Sequence, residues 1–423
     1  MERIFKTAII FLVLLAGLSA KAQVVTNDIK SKYPFINLAA DTLSYDKSSP
    51  KMNAFFKKFG EVATSKKGNI SIMHIGGSHV QAGTMSHRIR TNLLTSFAGV
   101  TADRGMIFPY SAGAKSNNPA DYKVQKSNTL QLTRNVYKEP QKLLGLCGIA
   151  VTAYDSTEWI KITMNEPHVD FGTTQITLLG YSETGNVAPY IVFQDKEYLP
   201  TRINLKTRRY VFNFHTTVDS FTIMLPCKEE QSFTLTGIYL ANRKPGISFT
   251  SIGVNGAATY DYQDKCPYFT KDLQLVKPNL VIFGIGINDA AGKTFDTAVF
   301  HRNYLRVIDS IRSVSPDCAF IFITNNDSYK KIARRKYAAN SHAILAREVF
   351  YRLAKETDGA VWDLYSIMGG LGSMTKWRDA KLGSSDRIHF TSEGYCMVGD
   401  LFFNAFINEI TYPDDEQSDP FHF

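Results

Sequence analysis

Four residues that could cooperate in acyl transfer occur along this chain in the order Ser78, Asn288, Asp386, His389. Ser78 follows residues 70–75, a mostly apolar, β-compatible run that reads as a buried strand. Gly76 and Gly77 break that strand, and Ser78 opens a helix with apolar positions at Val80, Met85, Ile89, Leu93 and Leu94. A serine at a tight strand-to-helix turn sits at the carboxyl edge of a sheet, with backbone N–H groups nearby for a developing negative charge. Taken alone, the segment fits an N-cap serine after a glycine turn better than a nucleophile. Residues 280–283 form a second apolar run, and Gly286, Asn288 and Asp289 follow it. Asp386 and His389 precede Phe390, Thr391, Ser392 and a final helix. A serine hydroxyl needs a base to take its proton, an imidazole titrates near neutrality, and a carboxylate just before it could fix its tautomer. Each short motif is common by itself. Their order, each after an expected strand end, points to Ser78 as nucleophile, His389 as base and Asp386 behind it.

On these residues the chain resembles the SGNH (GDSL-like) hydrolase superfamily. Its four motif blocks carry a nucleophilic Ser, an oxyanion Gly, an oxyanion Asn and an Asp-x-x-His pair. Residues 251–257 fit the second block, with Gly256 as the matching donor. The resemblance implies an oxyanion hole made by the Ser78 and Gly256 N–H groups and the Asn288 side-chain amide. It also implies hydrolysis through an acyl-serine intermediate, with no cofactor and no metal. His79 after the serine, where Leu is usual, and the Val254-Asn255-Gly256-Ala257 form of the second block look like the branch that contains peptidoglycan O-acetylesterases. The implied partner is an acetylated glycan, peptidoglycan first. An acetylesterase on other polysaccharides and an O-acetyltransferase would use the same residues. A non-catalytic glycan-binding cell-wall protein with a degenerate core is the alternative of another class. One departure stands out: the family usually has Asp where this chain has Gly77, so the turn must present Ser78 without that buttress.

Bulk properties narrow the setting. The 423 residues suffice for two or three domains, and 44% hydrophobic content is that of a globular protein. Residues 1–22 read as a secretory leader: Arg3 and Lys6, an apolar run over 8–18, then Ala20-Lys21-Ala22 as a cleavage site. The apolar run is too short for a stable span, and no other segment is long enough to cross a membrane. Export to the periplasm or cell envelope is expected. The formal charge of +9 becomes +7 once the leader's three basic and one acidic residues are removed. That balance favours solubility first and anionic surfaces second. Nothing resembles a nucleic-acid module, and Arg334-Arg335-Lys336 reads as a solvated helix face. Five Cys lack Cys-x-x-Cys spacing, which excludes the common zinc and redox motifs. A Cys147–Cys227 pair is compatible with an oxidising compartment, and oligomeric state is not legible.

The organisation follows the texture. Residues 52–62 predict an amphipathic helix with Phe55, Phe56 and Phe59 facing a core. From about residue 115, β-favouring runs punctuated by Gly, Pro and Asn dominate, and from residue 247 strands alternate with helices again. The expected fold class is α/β, a flavodoxin-like three-layer parallel sheet, interrupted by an all-β jelly roll or sandwich. The expected boundaries are 1–22 for the leader, 23–114 and 247–412 for the two parts of the core, 115–246 for the insert and 413–423 for a polar tail. The insert resembles, in position and texture, carbohydrate-binding-module-like domains; aromatics such as Trp159, Tyr181, Tyr190 and Tyr198 could stack on sugars or simply pack. Helices are expected across 329–355. His74 reads as buried strand filler, Asp289 as a loop hydrogen-bonder, and His79 as a residue that shapes the turn with some chance of touching substrate. Asn325, Asn326 and Asp327 end a strand at the same edge and are secondary candidates for substrate contact.

Overall fold

A computed structural model describes residues 28–410 apart from 114, 115 and 335. The expected leader and polar tail lie outside the described residues. Six strands form the central sheet in the order Leu43–Ser44, Ala360–Trp362, Ala319–Ile323, Leu280–Gly284, Asn69–Gly76, Gly246–Gly253. All neighbours are parallel except the short edge strand Leu43–Ser44, which runs against Ala360–Trp362. Parallel strands covered on both faces need apolar side chains on both, which explains the unbroken hydrophobic runs. The period-two alternation assigns the faces. Ile70, Ile72, Ile282 and Ile321 join the core formed with helices Pro50–Ser65, Thr84–Ser96 and Ser392–Ile407. Met73, Ile75, Val281, Phe283, Phe320 and Phe322 join the core on the other face, with helices Thr297–Arg312 and His342–Glu356.

Between Asn69–Gly76 and Gly246–Gly253 the chain builds two antiparallel sheets. One has five strands, in the order Lys196–Tyr198, Tyr190–Phe193, Ser220–Leu225, Glu158–Met164, Tyr122–Lys126. The other has seven, with Phe233–Ala241 between Gln175–Tyr181 and Ile149–Ala153 and also paired to Gly105–Ile107. Ser220–Leu225 alternates half-buried and buried residues, as a strand with one covered face should. Phe233–Ala241 is buried at every residue, and its apolar side chains share one core with both the sandwich and the α/β helices. The fold is therefore the expected three-layer parallel α/β sheet, carrying additional all-β layers.

Buried ion pairs at two places tie the β layers to the rest. Arg208 Nη2 lies 2.9 Å from Asp272 Oδ1, and Leu146 N–H donates to Asp272 Oδ2 at 3.0 Å. Asp121 accepts from Arg104 at 2.6 Å and lies 2.8 Å from Arg90, with all three side chains buried. Burial alone would raise the Asp121 carboxyl, but the two guanidiniums win and hold it well below the ordinary range. Asp121→Asn leaves two buried cations unpaired. It is expected to cost about 3–5 kcal/mol of stability, read as a lower urea midpoint at pH 7. A loss below about 1 kcal/mol would show the cluster to be dispensable.

One sequence expectation needs correction. Residues 329–339 are not helical: Tyr329–Ala333 and Lys336–Ala339 form an antiparallel hairpin, and a helix begins only at His342. The Lys, Arg and Ala content favours helix locally, but tertiary contacts override propensity here. Tyr329 N–H donates to the Arg387 carbonyl at 3.0 Å and Tyr329 OH pairs with Thr375 Oγ1 at 2.7 Å. No disulfide joins Cys147 and Cys227, and all five cysteines are free thiols.

Candidate active site

Strand Asn69–Gly76 lies between Gly246–Gly253 and Leu280–Gly284, so three strand ends meet at one edge of the sheet. The chain after each end supplies Ser78, Gly256 and Asn288 respectively. The helix Ser78–Gln81 folds back tightly on this edge. A Cβ at Gly76 would stand 2.3 Å from Val80 Cγ2 and 2.6 Å from the Gly284 carbonyl, so only glycine allows the turn. As the first residue of a helix, Ser78 has an N–H with no intrahelical acceptor.

Ser78 Oγ lies 2.7 Å from His389 Nε2, and His389 Nδ1 lies 2.6 Å from Asp386 Oδ2. Asp386 Oδ1 accepts from the backbone N–H groups of Ile388 and His389 at 2.9 and 3.0 Å. Burial works to raise the Asp386 carboxyl, but the imidazole hydrogen bond and these two N–H groups outweigh it, and its pKa falls below the ordinary value. An ionised Asp386 only accepts, so the His389 proton belongs on Nδ1 and Nε2 is bare to receive the Ser78 proton. A hydroxyl, imidazole and carboxylate linked in this way can carry out nucleophilic acyl transfer.

The expected oxyanion donors lie on the same cleft. Ser78, Gly256, Asn288 and His389 line a space of 760 Å³. Gly256 holds φ +87°, a conformation that disfavours any side chain. One Asn288 amide hydrogen is spent on the Ala257 carbonyl at 2.9 Å, which fixes the group and leaves the second hydrogen free to point elsewhere. Asp289 accepts from Thr259 N–H at 3.1 Å and from Thr259 Oγ1 at 3.2 Å, stapling the Gly256 loop to the Asn288 loop. Burial pushes the Asp289 carboxyl up to about 6. A raised acid stabilises the fold fully below its unfolded pKa, and that contribution is lost as pH rises through about 6. Asn288→Ala is expected to cost about 2.7–4 kcal/mol in the transition state, a fall in kcat of about 10²–10³ with little change in KM. A change below about threefold in kcat would remove Asn288 from the charge-binding role.

Gly77 has a structural explanation. A Cβ there would lie 3.2 Å from Asn288 Nδ2 and 3.4 Å from the Ala257 carbonyl. The Asn288 amide thus packs against the backbone where the family usually carries Asp. Support for the turn comes instead from Gln81, three residues after Ser78, which sequence reading missed. Gln81 is buried, its Oε1 accepts from Asn255 N–H at 2.7 Å, and its Nε2 donates to Ser116 Oγ at 2.6 Å. The i, i+3 spacing on one helix face was the available signal.

The remaining candidates sort by position. His74 is buried beside Ser86 Oγ at 2.9 Å, and burial lowers it to about 3. His79 Nδ1 is 2.8 Å from Tyr395 OH, and its ring centroid lies 5.0 Å from that of His389. Burial first, and the His389 charge second, lower His79 to about 3, so it is a neutral brace behind the base. Tyr395, unforeseen, faces the cleft in its place. Asn325, Asn326 and Asp327 do not line the cleft. Asn326 Nδ2 donates to the Ile388 carbonyl at 2.8 Å and secures the loop that carries His389, while Asp327 accepts from Met374 N–H at 2.8 Å and holds the helix Ser373–Asp379. Tyr198 packs on Phe214 with centroids 4.9 Å apart, and Tyr181 OH accepts from Leu143 N–H at 2.8 Å.

Residues 219–396 match the GDSL-like Lipase/Acylhydrolase family. That match spans most of the second part of the α/β core. The matched stretch holds Gly256, Asn288, Asp386 and His389 but not Ser78, which the insert separates from them in sequence and the parallel sheet restores in space. Among solved structures, one described as "Peptidoglycan O-acetylesterase in action, 5 min" is similar at TM-score 0.72 and 18% identity, covering 87% of this chain and 99% of that one. A family two carbohydrate esterase from Cellvibrio japonicus is similar at TM-score 0.27 and 11% identity, over 68% of this chain and 98% of its own. A GDSL-like lipase from Bacteroides thetaiotaomicron VPI-5482 gives TM-score 0.29 and 19% identity, over 38% and 76% of the two chains. No curated protein matches the sequence. At such identities the structural likeness shows the fold.

Proposed function

We propose that this chain is an exported GDSL-like carbohydrate esterase that removes O-acetyl groups from peptidoglycan. The observation that carries the chemistry is the continuous Ser78–His389–Asp386 line at 2.7 and 2.6 Å. Ser78 Oγ attacks the acetyl carbonyl as His389 Nε2 takes its proton. The carbonyl oxygen becomes an oxyanion, received by Ser78 N–H, Gly256 N–H and the free Asn288 amide hydrogen. His389 returns the proton to the departing sugar oxygen, leaving acetyl-Ser78 and a free glycan hydroxyl. Water, deprotonated by the same imidazole, then releases acetate and restores Ser78. No step requires a metal or cofactor.

The similarity over 87% of the chain, β layers included, to a structure described as a peptidoglycan O-acetylesterase supports the substrate. The leader-like residues 1–22 support export. Among the described residues no helix is long and apolar enough to cross a membrane. We take residues 115–246 as an inserted all-β unit beside the site, sharing its core with the α/β helices. Acetate release from O-acetylated peptidoglycan against acetylated xylan tests the assignment. Faster release from peptidoglycan is the expected result; release from xylan alone would keep the chemistry and replace the substrate.

A further inference from the structure

The hairpin formed by Tyr329–Ala333 and Lys336–Ala339 is used by no step above, yet it forms one wall of the cleft. Lys330 and Lys331 both line the space that holds Ser78, and no Asp or Glu does. Lys331, Arg334 and Lys336 are exposed and have no carboxylate partner among the described residues. The nearby acids are committed elsewhere: Asp386 to His389, Asp289 to Thr259, Asp327 to Met374. The hairpin is also joined to the loop bearing His389. Tyr329 N–H donates to the Arg387 carbonyl, and the Arg387 guanidinium stacks 5.5 Å from the Tyr329 ring and 4.7 Å from the Tyr337 ring. Lys330 Nζ donates to the Gly292 carbonyl at 2.7 Å, which pins the other side of the wall to the segment after Asn288. A cationic element is therefore held in register with the base on one side and the expected oxyanion loop on the other. The Lys331 ammonium, with no carboxylate partner at the rim of a carboxylate-free cleft, raises the local concentration of anionic ligands and orients them.

We propose that this hairpin is the specificity element of the enzyme and binds a carboxylate carried by the glycan close to the acetyl group being removed. The inference rests on the esterase reading for its substrate class, but it concerns charge recognition rather than the chemistry. Lys331 is the principal contact, with Lys330, Arg334 and Lys336 supplying the surrounding field. A carboxylate of this kind occurs on lactyl-bearing amino sugars and on uronic acids. Both present the same group, and the cleft does not distinguish them by charge.

The test reads binding without turnover, using the full chain carrying Ser78→Ala. Affinity is measured for an O-acetylated oligosaccharide with free carboxylates and for the same oligosaccharide with its carboxylates amidated. One arm uses lactyl-bearing amino-sugar oligomers and the other uses oligouronates. At low ionic strength the carboxylate form is expected to bind about tenfold more tightly in at least one arm. That preference is expected to shrink as salt rises past the range where the Debye length falls to about 8 Å. Adding Lys331→Glu and Lys336→Glu is expected to abolish it, with thermal melting confirming the fold. The arm that shows the preference names the source of the carboxylate. Equal affinity for free and amidated forms in both arms overturns the proposal, as does a preference that survives charge reversal in a folded protein. Wild-type acetate release from an aryl acetate, measured alongside, separates the two claims. Release without carboxylate preference defeats the hairpin proposal alone, and preference without release defeats the esterase reading alone.

Discussion

Asp386→Asn is expected to lower kcat for aryl acetate hydrolysis by about 10⁴, with the fold intact. The Asp386 carboxylate accepts the His389 Nδ1 proton at 2.6 Å, which leaves Nε2 bare opposite Ser78 Oγ. An amide at the same place can turn its NH₂ toward Nδ1 and stabilise the opposite tautomer. Nε2 then carries the proton and can no longer accept one from Ser78. Asp386 is half-exposed, so the substitution should do little to stability. Steady-state kinetics with Tm measured in parallel separates the two effects. A loss of less than about tenfold would mean that His389 keeps its tautomer without Asp386, and the relay would reduce to a Ser–His pair.

Ser78→Ala is expected to remove acetate release altogether, down to the residual catalysis of about 10³–10⁴ over water that bound donors can supply without a nucleophile. The substitution deletes one oxygen from a half-buried side chain and leaves the N–H at the helix start in place. Binding should therefore persist, which is why the same variant serves to read glycan affinity. Asn288→Ala should cost less than either, because it weakens charge stabilisation but keeps the nucleophile and its base.

The legible part of this chain was set by strand ends. The buried runs before Gly76, Gly253 and Gly284 carry period-two faces and glycine stops, and both are local signals. Ser78, Gly256 and Asn288 could be read in sequence for that reason, and the parallel register brings them to one edge; Asp386 and His389 were legible as an Asp-x-x-His pair before the last helix. What was not legible depends on partners remote in sequence. The hairpin at 329–339 has helix-forming composition and becomes β only because Tyr329 and Tyr337 find Arg387, about 50 residues later. Asn326 looked like a substrate residue because it ends a strand, but its amide is consumed by the Ile388 carbonyl. Gln81 supports the second strand-end loop through a contact across 174 positions, and its i, i+3 spacing from Ser78 does not name that partner. The replacement of the usual Asp by Gly77 looked like a weakness in sequence, and it coincides with an Asn288 amide seated against that backbone.

The central claim is that Ser78 is an activated nucleophile, and covalent labelling reads it most directly. The full chain is treated with a fluorophosphonate, which phosphonylates only serines whose proton is taken by a neighbouring base, and the adduct is located by peptide mass spectrometry. The account predicts a single adduct on Ser78, absent in Ser78→Ala and strongly reduced in Asp386→Asn, with acetate release lost in proportion to labelling. An unlabelled Ser78 in a protein that still releases acetate, or an adduct on another residue that tracks the activity, would contradict it.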